Sequence, residues 1–141
     1  MRVLRRVSLA LTVLLSTVAF AEEFDGSVPL ECKATKAHDC LPDKNQCTRL
    51  KPESNVPPVF GVDFANKTVR SPFRTAVLPV TTTVSTDHAL ILQGADNVAW
   101  SASIVRKTGV MTISVADRNG AYVVFAQCKA AAAAPAQPAQ E

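Results

Sequence analysis

The sequence predicts an all-β protein, a small antiparallel meander β-barrel of about seven or eight strands that is stapled by disulfide bonds. Short apolar or alternating segments are separated by turn residues along most of the chain, and no segment has a convincing helical period. The chain also contains four cysteines, and an even number in so small a protein is typical of a disulfide framework.

The clearest strands lie in the last third of the chain. Apolar residues alternate with small or polar ones over residues 98–104 and again over 111–115, which is the period of a strand with one buried face. Gly109 can take the positive φ of a tight turn between them. Asn119-Gly120 is a strong hairpin signal before the last run, residues 122–128. We expect three strands in an antiparallel meander here.

Weaker signals predict further strands upstream of the meander. They are residues 28–34, 48–50, 59–64, 68–70, 76–84 and 89–93. Pro79 cannot donate a hydrogen bond to a sheet, so we expect an edge position or a bulge there. A closed or nearly closed barrel is favoured because closure removes exposed sheet edges, and it makes the first and last strands neighbours.

The first 21 residues predict a cleaved Sec signal peptide. Arg2, Arg5 and Arg6 precede an uncharged run over residues 7–20, and Ala19-Phe20-Ala21 resembles a cleavage site. The run is shorter than the ~20 residues that a spanning helix needs. We therefore expect a periplasmic or secreted protein that begins at Glu22 and has no membrane span.

The rest of the chain predicts a single domain with balanced charge. Signal cleavage removes three of the 15 Lys and Arg residues and none of the 12 Asp and Glu residues. No basic stripe remains, so nucleic acid is not an expected partner. Residues 22–129 have the length of one domain, and the Ala, Pro and Gln residues of 130–141 predict a disordered tail.

The four cysteines are expected to form two disulfides, Cys32–Cys128 and Cys40–Cys47, because an exported protein folds in an oxidising compartment. The first pair would join the first strand to the last, and the second would close a short loop. Chain-entropy arithmetic gives roughly 4.6 kcal/mol for the long loop and roughly 2.5 kcal/mol for the short one, both as upper values.

The same segment allows two other interpretations. Cys32, His38, Cys40 and Cys47 contain the ligand types of a zinc site, but the cysteine gaps of seven and six residues exceed the usual two to four, and Cys128 would be left as a free thiol. Cys40 and His38 could act as nucleophile and base, but no oxyanion hole is recognisable. Neither interpretation is favoured, and no metal or cofactor is expected.

No arrangement of acids or histidines points to catalysis, so the protein is predicted not to be an enzyme. His88 lies in a Ser/Thr-rich turn, and Asp63, Asp96 and Asp117 each resemble turn residues.

Trp100 and Tyr122, each the only residue of its kind, are candidate ligand-binding residues. On adjacent or near-adjacent strands they would flank a barrel mouth and hold an apolar ligand. The alternative is that they fill the core.

The segments ILQG, NVAWSASI, KTGVMTISV and VVFAQC, following a signal peptide and an early cysteine, resemble a group of short exported proteobacterial proteins of unknown function. The resemblance covers residues 28–128 and implies no activity. More loosely, the strand-borne terminal cysteine is similar to that of periplasmic lysozyme inhibitors with small barrels, which implies inhibition of an envelope hydrolase.

Three functions follow as expectations. The first is an exported, non-enzymatic binding or accessory protein of the bacterial envelope with an unknown protein partner. The second is a periplasmic inhibitor of a hydrolase such as lysozyme. The third is a lipocalin-like carrier of a small apolar ligand near Trp100.

Overall fold

The computed structural model describes residues 24–51, 58–73 and 76–132, and in these residues the chain is all β with no helix. The predicted signal peptide and the part of the predicted tail beyond residue 132 lie outside the described residues. The strands are β1 Leu30–Cys40, β2 Thr48–Arg49, β3 Val59–Asp63, β4 Thr68–Arg70, β5 Val77–Pro79, β6 Thr82–Ser85, β7 Ala89–Ala95, β8 Ala99–Val105, β9 Val110–Asp117 and β10 Gly120–Ala130. The predicted fold class is confirmed.

All strands belong to one antiparallel sheet. Nine of them follow one another in the order β5-β4-β3-β1-β10-β9-β8-β7-β6, and β2 pairs with β1 beside this path. The sheet curls into a half-barrel. The first long strand and the last are neighbours, as predicted, and β1 pairs with β10 from Leu30 opposite Ala130 to Cys40 opposite Ala121.

The two end strands of the sheet, β5 and β6, are consecutive in the chain. The sequence predicted one strand over residues 76–84, but the structure divides it, because its first part pairs with β4 and its last part with β7. At the junction the Val80 amide donates to the Lys67 carbonyl at 2.8 Å, and the Thr81 amide donates to the Gln93 carbonyl at 2.9 Å. The edge position expected for Pro79 is confirmed.

Gly94 of β7 is required where this junction approaches the sheet. A Cβ atom there would collide with the Pro79 carbonyl oxygen and with the indole of Trp100. Since the carbonyl belongs to the backbone, it cannot rotate away as a flexible side chain would. Glycine therefore lets the ends of the curled sheet come together.

The first strand is longer than the sequence predicted. It continues beyond residue 34 to Cys40, and its register with β10 shifts between Ala34 and Lys36, where an irregularity accommodates the extra residue. His38, which lies beyond the first strand predicted over residues 28–34, is paired with Val123 of β10 and Arg49 of β2. The pairing with two neighbouring strands overrides the polar composition of this segment.

The core lies on the inner face of the sheet. Along β8, β9 and β10 every second residue is buried, as the alternation predicted. The largest fully buried side chains come from every strand between β4 and β7 in the strand order; they are Phe60, Leu90, Leu92, Ile104, Met111, Ile113, Val62, Val69, Val124 and Cys32. At the end of the barrel where β1 begins, Phe24 packs against Gly109 and its amide donates to the Arg106 carbonyl.

Candidate functional site

Both predicted disulfides are present, Cys32–Cys128 and Cys40–Cys47. Cys32 and Cys128 lie directly opposite each other on β1 and β10, and both are buried. Because all four cysteines of the chain are bridged, none is the thiolate that a zinc site or a nucleophilic mechanism needs. The cysteines are therefore structural, and a functional site has to be sought elsewhere.

The Cys40–Cys47 disulfide closes an exposed loop at the opposite end of β1. Residues 41–47 are all exposed, and within the loop the Lys44 amide donates to the Leu41 carbonyl at 3.1 Å. The chain then returns along β2, which pairs Thr48 with Asp39. The disulfide and β2 together hold the base of the loop against the sheet while its tip stays open to solvent.

Trp100 and Tyr122 lie on the inner face, with one strand between them. Val115 of β9 stands between them and pairs with Trp100 on one side and with Tyr122 on the other. Trp100 is 4% exposed and Tyr122 is 6% exposed. Phe73 packs on Tyr122 with ring centroids 6.4 Å apart. The two candidate residues are packed in the core at this end of the barrel, and ligand binding by them stays a prediction.

Apart from Lys129 at the end of β10, the outer positions of the four strands β7 to β10 carry no charged side chain, and we call the surface that they form the uncharged face. Its positions are occupied by Ala89, Ile91, Gln93, Ala95, Ala99, Ser101, Ser103, Val105, Val110, Thr112, Ser114, Ala116, Ala121, Val123, Phe125 and Gln127. Val105 and Val110 flank the β8–β9 turn and are 39% and 42% exposed, and Phe125 is 40% exposed. Exposed strand positions are usually polar or charged, so the composition is unusual for a solvated surface.

The other half of the outer surface is charged. Lys33 and Lys36 project from β1, and Arg49 and Arg70 are exposed on β2 and β4. At its border with the uncharged face, Lys129 forms an exposed ion pair with Glu31 at 3.3 Å. The sequence contained the signal for this division, because the residues between the buried positions of β8 and β9 are Ser, Thr, Ala and Val. Only the strand order shows that they form one surface.

A cavity of 230 Å³, which we call the seam cavity, lies where the two ends of the sheet meet. It is lined by Thr83 and Ser85 of β6, by Phe64 and Lys67 of the β3–β4 turn, and by Leu90 of β7. Val80, Asp25 and Gly26 complete the lining. The sequence holds no signal for this site, since its residues come from five separate segments and share no motif.

Asp25 and Lys67 place one charge of each sign at the seam cavity. Hydrogen bonds from Ser27, including the Ser27 amide at 2.8 Å, hold the pKa of Asp25 below its ordinary value, and the Arg106 charge contributes less. Lys67 has a φ of 52°, the left-handed conformation that closes the β3–β4 turn. The lining of the seam cavity therefore combines the apolar side chains of Phe64, Val80 and Leu90 with one carboxylate and one ammonium group.

A second, more open cleft of 440 Å³ lies at the other end of the barrel, between the β7–β8 and β9–β10 turns. It is lined by Asn97, Val98, Asp117, Arg118 and Asn119. Asp117 accepts hydrogen bonds from the Asn119 and Gly120 amides at 2.7 and 3.1 Å, which is the turn role that the sequence predicted for it.

The two histidines lie far apart in the fold. His38 is on the outer side of β1, whereas His88 is exposed in the β6–β7 turn at the opposite end of the barrel. In the part of the chain that the structure describes, no group of three or more His, Cys, Asp and Glu residues could hold a metal ion. The described residues also contain no helix capable of spanning a membrane.

Comparison with known proteins gives no match: no protein family, no curated protein and no solved structure is similar to this chain. The resemblances stated from the sequence therefore stay predictions.

Proposed function

We propose that the protein is an exported, non-enzymatic binding protein of the bacterial envelope, and that its partner is another protein held on the uncharged face. The observation that carries the proposal is the composition of that face. Charged residues are depleted in the centres of protein interfaces, and contiguous exposed apolar surface marks interaction sites. The exposed side chains of Val105, Val110 and Phe125 lie together on this face.

The packed interior supports a partner that binds from outside. Trp100, Tyr122 and Phe73 fill the end of the barrel where a carrier of the predicted kind would open. The two disulfides are compatible with an extracellular or periplasmic location, where such bonds persist. The absence of enzymatic activity is part of the proposal and is supported by the bridged cysteines and the separated histidines.

Photo-crosslinking from the uncharged face, with and without an added charge there, tests the proposal. A photo-crosslinking amino acid at Thr112, next to Phe125 in the sheet, should give one discrete adduct in the envelope of producing cells. The variant Ser103→Lys should reduce that adduct at least tenfold, because a lysine would have to be buried without a partner. The matched control places the crosslinker at Arg70, on the charged half, where no discrete adduct is expected.

The proposal fails if Thr112 gives no adduct, if Arg70 gives the same adduct, or if Ser103→Lys leaves the yield unchanged. Identification of the adduct by mass spectrometry also addresses the predicted inhibitor function, since an envelope hydrolase as the partner would support it. Inhibition of lysozyme and transport of an apolar ligand otherwise stay predictions from the sequence.

A further inference from the structure

The seam cavity is bordered by a strand edge that has no partner among the described residues. β6 is the last strand of the sheet and pairs only with β7 there. All four of its residues are exposed, and Val84 is 44% exposed. Natural proteins usually protect such an edge with lysine, proline or a bulge, because it attracts another strand. Thr82, Thr83, Val84 and Ser85 are uncharged, and three of them are β-branched.

The hydrogen-bonding pattern shows which backbone groups of β6 point into the cavity. The Thr86 amide donates to the Ala89 carbonyl at 2.9 Å, so this pair is a bonded pair of the β6–β7 ladder. Bonded and non-bonded pairs alternate along an antiparallel ladder, so the backbone amide and carbonyl of Val84 also point toward β7. The amides and carbonyls of Thr83 and Ser85 therefore face the free side, and these are the two β6 residues that line the seam cavity.

The seam cavity joins the free side of β6 to one carboxylate and one ammonium group, a combination that suits a short extended segment with charged ends. Phe64 and Lys67 of the β3–β4 turn line the same cavity as the free side of β6, so a segment paired with β6 there would also meet these side chains. A strand rises about 3.4 Å per residue, so the distance from Thr83 to Ser85 matches two or three residues of an added chain. The volume of 230 Å³ is far larger than the ~10–15 Å³ that one water needs.

We propose that the seam cavity binds a short zwitterionic peptide of two or three residues. Its backbone pairs with the amides and carbonyls of Thr83 and Ser85, and a small apolar side chain lies over Leu90. Its amino and carboxylate groups are complementary to Asp25 and Lys67, which line the same cavity. This site is separate from the uncharged face, and the proposal does not depend on the function proposed above.

The experiment is an NMR titration of the mature chain with alanyl-valyl-alanine at millimolar concentration. We expect amide shifts and slower hydrogen exchange at Thr83 and Ser85, whereas Ser103 on the uncharged face should not respond. The same peptide with an acetylated amino terminus and an amidated carboxyl terminus should bind at least fivefold more weakly, because both charges are lost. Lys67→Asn, which suits the left-handed conformation, should remove the advantage of the free carboxylate.

Two variants at one position separate backbone pairing from side-chain contact. Thr83→Pro removes the free-side amide without touching the β6–β7 ladder, and it should weaken binding at least tenfold. Thr83→Val keeps the amide and should bind like the unmodified protein. If Thr83→Pro does not fold, Ser85→Pro serves in its place.

Three results would overturn the proposal. They are unchanged Thr83 and Ser85 amides at saturating peptide, equal binding of the free and capped peptides, and unimpaired binding by a folded Thr83→Pro or Ser85→Pro variant. Ser103→Lys, which tests the uncharged face, should leave this titration unchanged, so the two proposals can fail separately.

Discussion

The two disulfides lie in two different regions of the molecule, one in the core and one at an exposed loop. Cys32–Cys128 is buried between β1 and β10, the middle strands of the sheet, and joins residues 96 positions apart. Cys40–Cys47 joins residues seven positions apart and closes a loop of exposed residues. The first therefore constrains nearly the whole domain, whereas the second constrains one loop and the short strand β2.

The difference shows how this small domain is held together. The Cys32–Cys128 bond lies between strands that already pair over ten positions, so it reinforces a contact between the two ends of the chain. Such a long loop is where a cross-link removes most entropy from the unfolded chain. The Cys40–Cys47 bond adds little to the core and mainly fixes the shape of a surface loop.

The largest expected effect comes from removing the buried bond. The double variant Cys32→Ala/Cys128→Ala should lower the free energy of unfolding by up to about 4.6 kcal/mol, a large fraction of the ~5–15 kcal/mol typical of a domain. Urea unfolding monitored by Trp100 fluorescence measures it. A loss below about 2 kcal/mol would mean that the pairing of β1 with β10 is sufficient without the bond.

The second largest effect on stability should come from removing the exposed disulfide, Cys40–Cys47. Cys40→Ala/Cys47→Ala should cost no more than about 2.5 kcal/mol, because the loop it closes is short. Hydrogen exchange should rise at Thr48 and Arg49 of β2 and stay unchanged at Ile113 in the core. A cost equal to that of the buried pair would contradict the distinction between a domain constraint and a loop constraint.

The third effect concerns the junction between β5 and β6, where the chain passes from one end of the strand order to the other without a disulfide. Gly94→Ala should destabilise the protein by about 2 kcal/mol, since the new methyl group would overlap the Pro79 carbonyl. Gly61→Ala is the matched control, because the nearest atom to its added Cβ lies 3.8 Å away. Equal stability of the two variants in urea unfolding would show that the junction adapts without cost.

The sequence predicted those features that depend on neighbouring residues. The turn at Gly109, the hairpin over residues 117–120 and the alternation of β8 and β9 are local, and all are present in the structure. The two disulfides could be predicted because the fold class made the first and last strands neighbours.

The features that depend on distant pairing could not be predicted. Nothing in residues 35–40 indicates a strand, and β10 and β2 supply the pairing that makes it one. The division of residues 76–84 into β5 and β6 requires knowledge of which strands lie beside each part. The seam cavity depends on that division, so its lining from Asp25 to Leu90 has no counterpart in the sequence pattern.

The smallest effect lies beside the buried disulfide. Glu31 and Lys129 pair one position away from Cys32 and Cys128 on the same two strands, with their side chains 46% and 73% exposed. Glu31→Gln should change the free energy of unfolding by no more than about 1 kcal/mol, because an exposed ion pair is screened by solvent. In a double-mutant cycle that combines Glu31→Gln with Cys32→Ala/Cys128→Ala, the two changes in the free energy of unfolding should add. A coupling above about 1 kcal/mol would instead indicate that the ion pair depends on the strand geometry imposed by the disulfide, so that the covalent and electrostatic contacts between β1 and β10 act as one unit.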